Sequence, residues 1–420
     1  MIPNKPAIAV NKRTILLIES ATELRNFFSG AIKNSSNFSV IATGSDIEAN
    51  KILLGNYESI NFILFNWSSP KTSGGVFAQN IRKEFKYDHI ELVTFSQNMS
   101  EEDSFLLTEL DINYTIPKII NGAQLIKYLD GILSDYNSLS PVLKKLNELK
   151  HLVNIEDLEK CEEIIKDEKV LHNLQHNHKY LYLYGEILIL RKDYDTAIKY
   201  FEDLLKDQSK MMSGVETLRN MSTLGKVYCL AGRNKEGLMI FEKLEAKSPK
   251  NLDHKLMVGE ALLGLNESNK AESKFDEILN VNPKDKGALT GMVKSNAIAG
   301  KFDVAKSFYH QIEGEFESKS LASYFNNRGV MLVRDSKVTE AIAFYKNASY
   351  FFKKYKAHIN FNLGMAYYRE NKIEEAASCF QEALNSPDIS SLEDKTLIKA
   401  LKEDGLEKFI QKHKKKIEPN

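Results

Sequence analysis

A repeated three-position pattern begins near residue 185 and limits the possible folds of this chain most strongly. A small first residue, glycine in five of six copies, is followed twelve residues later by Ala or Gly and four residues after that by an aromatic. The first positions are Gly185, Gly225, Gly259, Val293, Gly329 and Gly364. The second positions are Ala197, Gly237, Ala271, Ala305, Ala341 and Ala376, and the third are Phe201, Phe241, Phe275, Tyr309, Tyr345 and Phe380. Such spacing predicts hairpins of two antiparallel helices, with the small residues where the helices cross and the aromatic between one hairpin and the next.

Three consecutive copies begin 34 residues apart, at Leu218, Leu252 and Lys286. In this period and pattern, residues 178–390 resemble the tetratricopeptide repeat family. The resemblance implies six repeats that stack into a superhelix, because one hairpin cannot bury its apolar face alone. We also expect a divergent hairpin at 140–177, with helices near Val142–Leu152 and Ile155–Ile165, and a capping helix at 391–411. The alternative is an irregular helical bundle, which six matching copies disfavour.

The resemblance also implies a binding groove, because peptides in this family usually bind the face lined by the first helix of each hairpin. The side chains placed there are Tyr182, Glu186, Lys226, Glu260, Lys294, Asn326, Arg334, Phe361, Met365, Tyr368 and Arg369. Their charges alternate in sign from Glu186 to Lys294, so the Lys/Asn clamp that holds a terminal carboxylate in some relatives does not carry over. Phe361, Met365 and Tyr368 suit an apolar or aromatic ligand segment. Alternatively, these side chains pack within the superhelix or face solvent.

Residues 12–135 show a different pattern, in which apolar runs alternate with amphipathic stretches. Predicted strands lie at Thr14–Ile18, Val40–Ala42, Ile60–Phe65, Ile90–Phe95 and Ile112–Ile116, and predicted helices at Leu24–Ser35, Ile47–Leu54 and Ala123–Leu133. This alternation predicts a doubly wound α/β domain with a parallel sheet. The expected fold class is therefore multidomain, with an N-terminal α/β domain followed by an all-α repeat superhelix.

The five-strand segment resembles a response-regulator receiver domain. Asn66 and Pro70 follow the third strand, Ser96 ends the fourth and Pro117 follows the fifth. In receivers, the position of Asn66 holds the phosphoacceptor Asp, and a Pro follows it as Pro70 does here. The position of Ser96 holds a Ser or Thr that contacts the phosphoryl group, and that of Pro117 the Pro of a Lys-Pro pair. The resemblance also implies a possible homodimer through the face formed by the last helix, the fifth strand and the helix before it.

Three departures from the receiver pattern predict that the domain is not phosphorylated on aspartate. Asn66 replaces the nucleophile, and an amide forms no acyl phosphate. Glu19-Ser20 replaces the acid pair that holds Mg²⁺, which leaves one carboxylate. Ile116 occupies the Lys position, with Lys118 two residues on as a partial substitute. The degenerate site thus comprises Asn66, Glu19, Ser20, Ser96, Ile116 and Lys118.

The expected function is that of a non-enzymatic scaffold or adaptor in bacterial signalling, with a protein or peptide partner in the groove and no catalytic residues. The bacterial assignment depends on the receiver resemblance alone. One alternative is a regulator that is still switched, by phosphorylation at Ser20, Ser68 or Ser96 or by a ligand. Another alternative is a chaperone for secretion or assembly.

Composition narrows the expected partners and compartment. The chain has 57 basic and 57 acidic residues, so bulk electrostatic binding of nucleic acid or an anionic membrane is not expected. Cys161, Cys229 and Cys379 lie far apart, which fits a reducing compartment. The first residues lack the long apolar core of a signal peptide. These features predict a cytoplasmic protein, and no motif calls for a metal or another cofactor.

Overall fold

The computed structural model describes residues 12–68, 73–96, 99–116, 121–138, 140–167, 172, 177–207, 213–312, 319–352, 355–392 and 395–414. The chain forms two compact units, Met1–Ala261 and Leu262–Asn420. The border between them lies inside a helix of the third repeat copy. It therefore does not coincide with the domain borders expected from the sequence, which stay a prediction.

Five parallel strands form the sheet of the N-terminal region. They are β1 (Arg13–Ile18), β2 (Phe38–Thr43), β3 (Ile60–Asn66), β4 (Glu91–Phe95) and β5 (Tyr114–Ile116). Their order in the sheet is β2-β1-β3-β4-β5, and every neighbouring pair is parallel. A doubly wound sheet of this kind brings the residues that follow β1, β3 and β4 together at one edge.

The helices of this region include two for which the sequence pattern gave no range. The helices are α1 (Thr22–Lys33), α2 (Asp46–Asn56), α3 (Gly74–Arg82), α4 (Glu101–Glu109) and α5 (Gly122–Asn137). The additional ones are α3 and α4. The first begins with two glycines, which are poor helix formers. The second buries only Leu106 and Leu107, which gives little periodicity to detect.

Seven helical hairpins follow within the described residues, and two further helices close the chain. The first two hairpins are α6 (Pro141–Asn154) with α7 (Leu158–Lys166) and α8 (His178–Leu190) with α9 (Tyr194–Lys206). The next two are α10 (Gly214–Leu230) with α11 (Asn234–Lys247) and α12 (Leu252–Gly264) with α13 (Ser268–Val281). The last three are α14 (Lys286–Ile298) with α15 (Phe302–Gln311), α16 (Lys319–Arg334) with α17 (Val338–Ala348), and α18 (Ala357–Arg369) with α19 (Ile373–Leu384). The closing helices are α20 (Thr396–Asp404) and α21 (Leu406–Lys414). None of the helices in the described residues is both long enough and apolar enough to cross a membrane.

Each hairpin turn contains one residue in the left-handed region. These residues are Glu156, Lys192, Gly232, Asn266, Gly300, Ser336 and Asn371, with φ between 58° and 78°. In the six copies this residue lies seven positions after the first position of the pattern, as Lys192 does after Gly185. The same offset from Glu156 gives Leu149 in the divergent hairpin. Leu149 is fully buried, so this hairpin shares the register of the repeats without their glycine.

The aromatic residue of a copy packs first on the glycine of its own hairpin. A Cβ on Gly225 would lie 2.8 Å from Cζ of Phe241, so no larger residue fits there. From the sequence, the ring was expected only between successive hairpins. The ring also contacts the next hairpin. A Cβ on Gly291 of α14 would lie 2.5 Å from the Phe275 ring of the preceding hairpin. The glycine therefore makes room for a ring that joins the two helices of one hairpin and also reaches the next.

The last hairpin is closed by two short helices where the sequence predicted one. Gly405 adopts φ 72° and separates α20 from α21. Phe409 of α21 is fully buried, with its ring centroid 6.2 Å from that of Phe380. The chain reversal at Gly405 thus lets the end of the chain cover the apolar face of the last repeat.

Candidate functional site

The residues that follow β1, β3 and β4 form a closed polar cluster. Asn66 Nδ2 donates to Glu19 Oε2 at 2.9 Å, and the Ser68 backbone N–H donates to Asn66 Oδ1 at 3.0 Å. Glu19 Oε1 accepts from the Ala21 N–H at 2.8 Å. The hydroxyls of Ser68 and Ser96 lie 2.8 Å apart. Of the residues predicted to form a degenerate site, Glu19, Asn66 and Ser96 thus belong to this cluster, in which the amide of Asn66 and the carboxylate of Glu19 bond each other.

The described residues leave little space beside Asn66. The depression that it lines with Ser20 and Gly74 holds about 10 Å³, enough for one water molecule at most. Gly74 closes it, because a Cβ there would lie 2.6 Å from the Trp67 Cα. Ile116 is buried in β5, whereas Lys118 lies outside the described residues. Within the described part of the chain, no group of three His, Cys, Asp or Glu residues could hold a metal ion.

In the unit Leu262–Asn420, polar contacts join the first helices of successive hairpins. The Lys294 ammonium of α14 lies 4.9 Å from the centre of the Tyr324 ring on α16. Asn362 of α18 donates to Asn326 Oδ1 of α16 at 2.7 Å. Arg334, at the end of α16, is exposed. Two predicted groove residues, Lys294 and Asn326, are thus engaged by neighbouring helices, whereas Arg334 is exposed.

The last copy combines half-buried and exposed groove positions. Tyr368 bonds His413 Nδ1 of α21 through its hydroxyl at 2.9 Å. Phe361 packs against Phe380 with ring centroids 5.6 Å apart. Arg369 is exposed. Tyr368 and Phe361 therefore help to hold the last hairpin and its closing helices together.

In the unit Met1–Ala261, the groove positions of α8 are engaged by α10. Glu186 accepts from Thr223 Oγ1 at 3.1 Å and from the Tyr182 hydroxyl. The guanidinium of Arg219 lies 5.6 Å from the centre of the Tyr182 ring. Burial raises the pKa of Tyr182 well above its ordinary value, so its hydroxyl stays protonated and keeps donating. Further along this unit, Lys226 is exposed and Glu260 is half-buried.

The α/β domain contacts this same set of helices through Asp111. Its carboxylate lies 2.5 Å from Arg219 Nη2 of α10 and 3.2 Å from Lys150 Nζ of α6. Burial opposes ionisation, but the charges of Arg219 and Lys150 hold the pKa of Asp111 at about 2. Asp111 follows α4 in the left-handed region, with φ 54°. Its role was not predicted, because a lone Asp between a helix and a strand belongs to no repeated pattern.

Gln79 of α3 makes a second contact between the α/β domain and the repeats. Its Oε1 accepts from the Leu252 N–H at 2.7 Å, and its Nε2 donates to the Lys250 carbonyl at 3.2 Å. A buried side chain of the α/β domain thereby caps the first turn of α12. Glu109 of α4 adds a third contact by accepting from Ser248 Oγ at 2.7 Å.

Trp67 connects the polar cluster around Asn66 to this contact region. It follows Asn66 directly, and its indole hydrogen-bonds Asp103 of α4. Asp103 also accepts from Lys250 Nζ at 2.8 Å, in the loop between α11 and α12. Burial opposes ionisation, but hydrogen bonds from Lys250, Trp67 and Ser100 hold the pKa of Asp103 at about 2. One chain of bonds thus leads from the residue next to Asn66 to the repeats.

Comparisons with known proteins identify the repeats. The tetratricopeptide repeat family matches residues 179–210 and 357–385. No curated protein matches the chain. A tetratricopeptide repeat protein from Parabacteroides merdae has 18% identity and a TM-score of 0.40, covering 65% of this chain and 100% of that one.

Two further solved structures show a similar degree of likeness. The apo form of the quorum sensor NprR from B. thuringiensis has 18% identity and a TM-score of 0.40, covering 66% of this chain and 82% of that one. The apo form of RapI has 13% identity and a TM-score of 0.37, covering 81% and 95%. The family match to residues 179–210 and 357–385 confirms the prediction of tetratricopeptide repeats.

Proposed function

We propose that this chain is a non-enzymatic scaffold or adaptor that binds a protein or peptide along the first helices of its repeats. We further propose that it works in the cytoplasm of a bacterium, as part of a signalling system. The observation that carries the proposal is the set of cationic side chains on successive first helices, Lys294, Arg334 and Arg369, of which the last two are exposed. Stacked hairpins of this kind form extended binding surfaces, and the described residues show no catalytic constellation.

We place the partner on the first helices of residues 262–420. Lys294, Arg334 and Arg369 supply positive charge along α14, α16 and α18, and Met365 supplies an adaptable apolar contact. An acidic segment with one apolar anchor has the matching chemistry. The corresponding face of α8 and α10 is a weaker candidate, because Arg219 of α10 already binds Asp111 of the α/β domain.

The proposal includes a receiver-like α/β domain that works without phosphorylation. The strand order β2-β1-β3-β4-β5 supports the likeness, since receiver domains share it. The Asn66–Glu19 bond supports the loss of chemistry, because the remaining carboxylate holds an amide. A homodimer through α4, β5 and α5 could use only the part of that face that the repeats do not cover, since α4 packs on α10.

A phosphodonor separates this proposal from a regulator that is still switched. The full-length chain is incubated with acetyl phosphate and Mg²⁺, and covalent phosphate is measured by intact-mass spectrometry. We expect none on the wild type, because Asn66 forms no acyl phosphate. An Asn66→Asp variant treated in parallel shows whether restoring the nucleophile is sufficient. Phosphate on Ser20, Ser68, Ser96 or any other residue of 12–135 in the wild type would contradict the proposal.

A further inference from the structure

A cleft of about 500 Å³ lies between the α/β domain and the first helical hairpin, within the unit Met1–Ala261. Glu91 and Tyr114 line it from β4 and β5. Leu143 and Lys150 line it from α6, and Lys179 from the start of α8. Its volume falls in the range of small-molecule binding sites. The cleft is separate from the groove proposed for the protein partner.

Both walls of the cleft are fixed by bonds across it and behind it. Lys150 bonds Asp111 at 3.2 Å, and Asn154 Nδ2 donates to Asp88 Oδ2 at 2.5 Å. On the sheet side, the half-buried Arg82 also lines the cleft, and its Nε donates at 3.1 Å to the carbonyl of Leu110, which is outside the lining. A site already held in shape loses little freedom on binding, which favours affinity for a small ligand.

Glu91 gives the cleft an acceptor that lacks a donor. Its Oε1 is buried, and no hydrogen-bond partner for it occurs among the described residues. Burial raises the pKa of Glu91. An unpaired buried oxygen of this kind costs free energy, and a ligand that brings an N–H or ammonium group would remove the cost.

Lys179 gives the cleft a cation that is bonded to a neutral group. Its Nζ donates to the side-chain oxygen of Asn147 at 2.8 Å. Burial lowers the pKa of Lys179, and the charge of nearby Lys150 lowers it further. A carboxylate from a ligand would stabilise both ammonium groups.

We propose that this cleft binds a small zwitterion, an α-amino acid or a dipeptide, with its ammonium group on Glu91 and its carboxylate on Lys179 and Lys150. Leu143 and Tyr114 offer contacts for an apolar side chain. A simple anion would leave Glu91 without a donor. A simple cation would leave Lys179, which bonds the neutral Asn147, without an anion. The balanced charges of the lining therefore match a ligand that carries both signs.

Isothermal titration of the full-length chain tests this site with three probes, L-leucine, L-phenylalanine and leucyl-leucine. N-acetyl-L-leucine, which lacks the ammonium group, and L-leucinamide, which lacks the carboxylate, are titrated as matched analogues. We expect at least one zwitterion to bind, and each single-charge analogue to bind at least about tenfold more weakly. Glu91→Gln and Lys179→Met should each weaken binding by at least about tenfold. Glu340→Gln and Lys301→Met, at exposed positions of the other unit, should leave it unchanged.

Three results would overturn the assignment. One is the absence of binding of all three zwitterions up to about 10 mM, which is weaker than a specific site of this volume should show. Another is equal binding of the zwitterions and both analogues. The third is unaltered binding by folded Glu91→Gln and Lys179→Met, whose fold is checked by circular dichroism and by emission of the single tryptophan. Partner binding by the repeats is measured separately, so failure here would leave the proposed function standing.

Discussion

The side chain of Asp111 connects two parts of the chain. It joins the α/β domain to α6 and α10, at residues 39 and 108 positions further along the chain. Its left-handed backbone ends α4 and directs the carboxylate toward Lys150 and Arg219. Burial raises the pKa of its carboxyl group, and the charges of these two cations lower it to about 2.

Replacing this carboxylate should produce a loss of stability that depends on pH. The pKa of Asp111 is held at about 2, below the value of roughly 3.9 in an unfolded chain. The stabilisation is therefore complete above about pH 4 and declines as the pH falls toward 2. Asp111→Asn should lower the free energy of unfolding by about 1–2 kcal/mol at pH 7, with a smaller difference near pH 3. Urea unfolding followed by Trp67 emission at both pH values measures this.

Asp303→Asn is the matched control, because Asp303 is fully exposed and its partner Lys306 lies 3.7 Å away. It should leave stability unchanged within about 0.5 kcal/mol. If Asp111→Asn lowered the free energy of unfolding equally at both pH values, the charge of Asp111 would not be the source of the stabilisation. The contact would then depend on the shape of the side chain.

At the scale of the hairpin, a glycine and an aromatic sixteen residues later act as one packing unit. The Phe380 ring lies where a side chain at Gly364 would be, with Cε1 2.6 Å from an ideal Cβ. The Ala376 carbonyl lies 3.1 Å from the same point, so the second helix also blocks it. Phe380 is fully buried and cannot move away without opening the core.

A methyl group at Gly364 should therefore destabilise the fold even though alanine favours helices. Gly364→Ala should cost about 1–3 kcal/mol, because overpacking exceeds the gain in helix propensity. Gly131→Ala in α5 is the matched control, since nothing lies within 4 Å of its ideal Cβ. That change should stabilise by about 0.5–1 kcal/mol. Thermal unfolding compares the two, and equal stabilisation by both would refute the packing role of the glycine.

The spacing of these units is what made the repeats predictable from the sequence. Packing imposes the glycine-to-aromatic distance, so it recurs wherever the hairpin recurs. The proximity of Asn66 to Glu19 was also predictable, because parallel strands end at one edge of the sheet. Gln79 and Asp111 could not be found in this way. A contact between distant parts of a chain needs only one matching pair and leaves no period to detect.

At the scale of the whole molecule, the unit Met1–Ala261 contains both the α/β domain and the first repeats. Gln79, Glu109 and Asp111 bond the repeats, and Asp103 bonds Lys250. Since Trp67 bonds Asp103, the polar cluster around Asn66 and the repeats share one set of contacts. This arrangement favours a constant role for the α/β domain, with the domain held on the repeats.

Removing the Gln79 amide should loosen that arrangement at a defined place. Gln79→Ala leaves the Leu252 N–H without its acceptor in a buried position, at a cost of about 1–3 kcal/mol. Hydrogen exchange measured by mass spectrometry should become faster at the start of α12 and in α3. Gln311→Ala, at an exposed position on α15, should leave exchange in these helices as in the wild type. Unchanged protection of α12 in Gln79→Ala would mean that the cap does not hold the domain on the repeats.

Binding of a partner by the face of α14, α16 and α18 is the central claim, and quantitative affinity capture from the native cell tests it most directly. Full-length protein, Lys294→Glu with Arg334→Glu, and Lys270→Glu are used side by side, since Lys270 is 73% exposed on the second helix α13. We predict that a protein retained by the wild type and by Lys270→Glu is lost from the Lys294→Glu, Arg334→Glu variant, because that variant reverses the charge that an acidic segment would meet. Equal retention of every partner by all three proteins would contradict this claim.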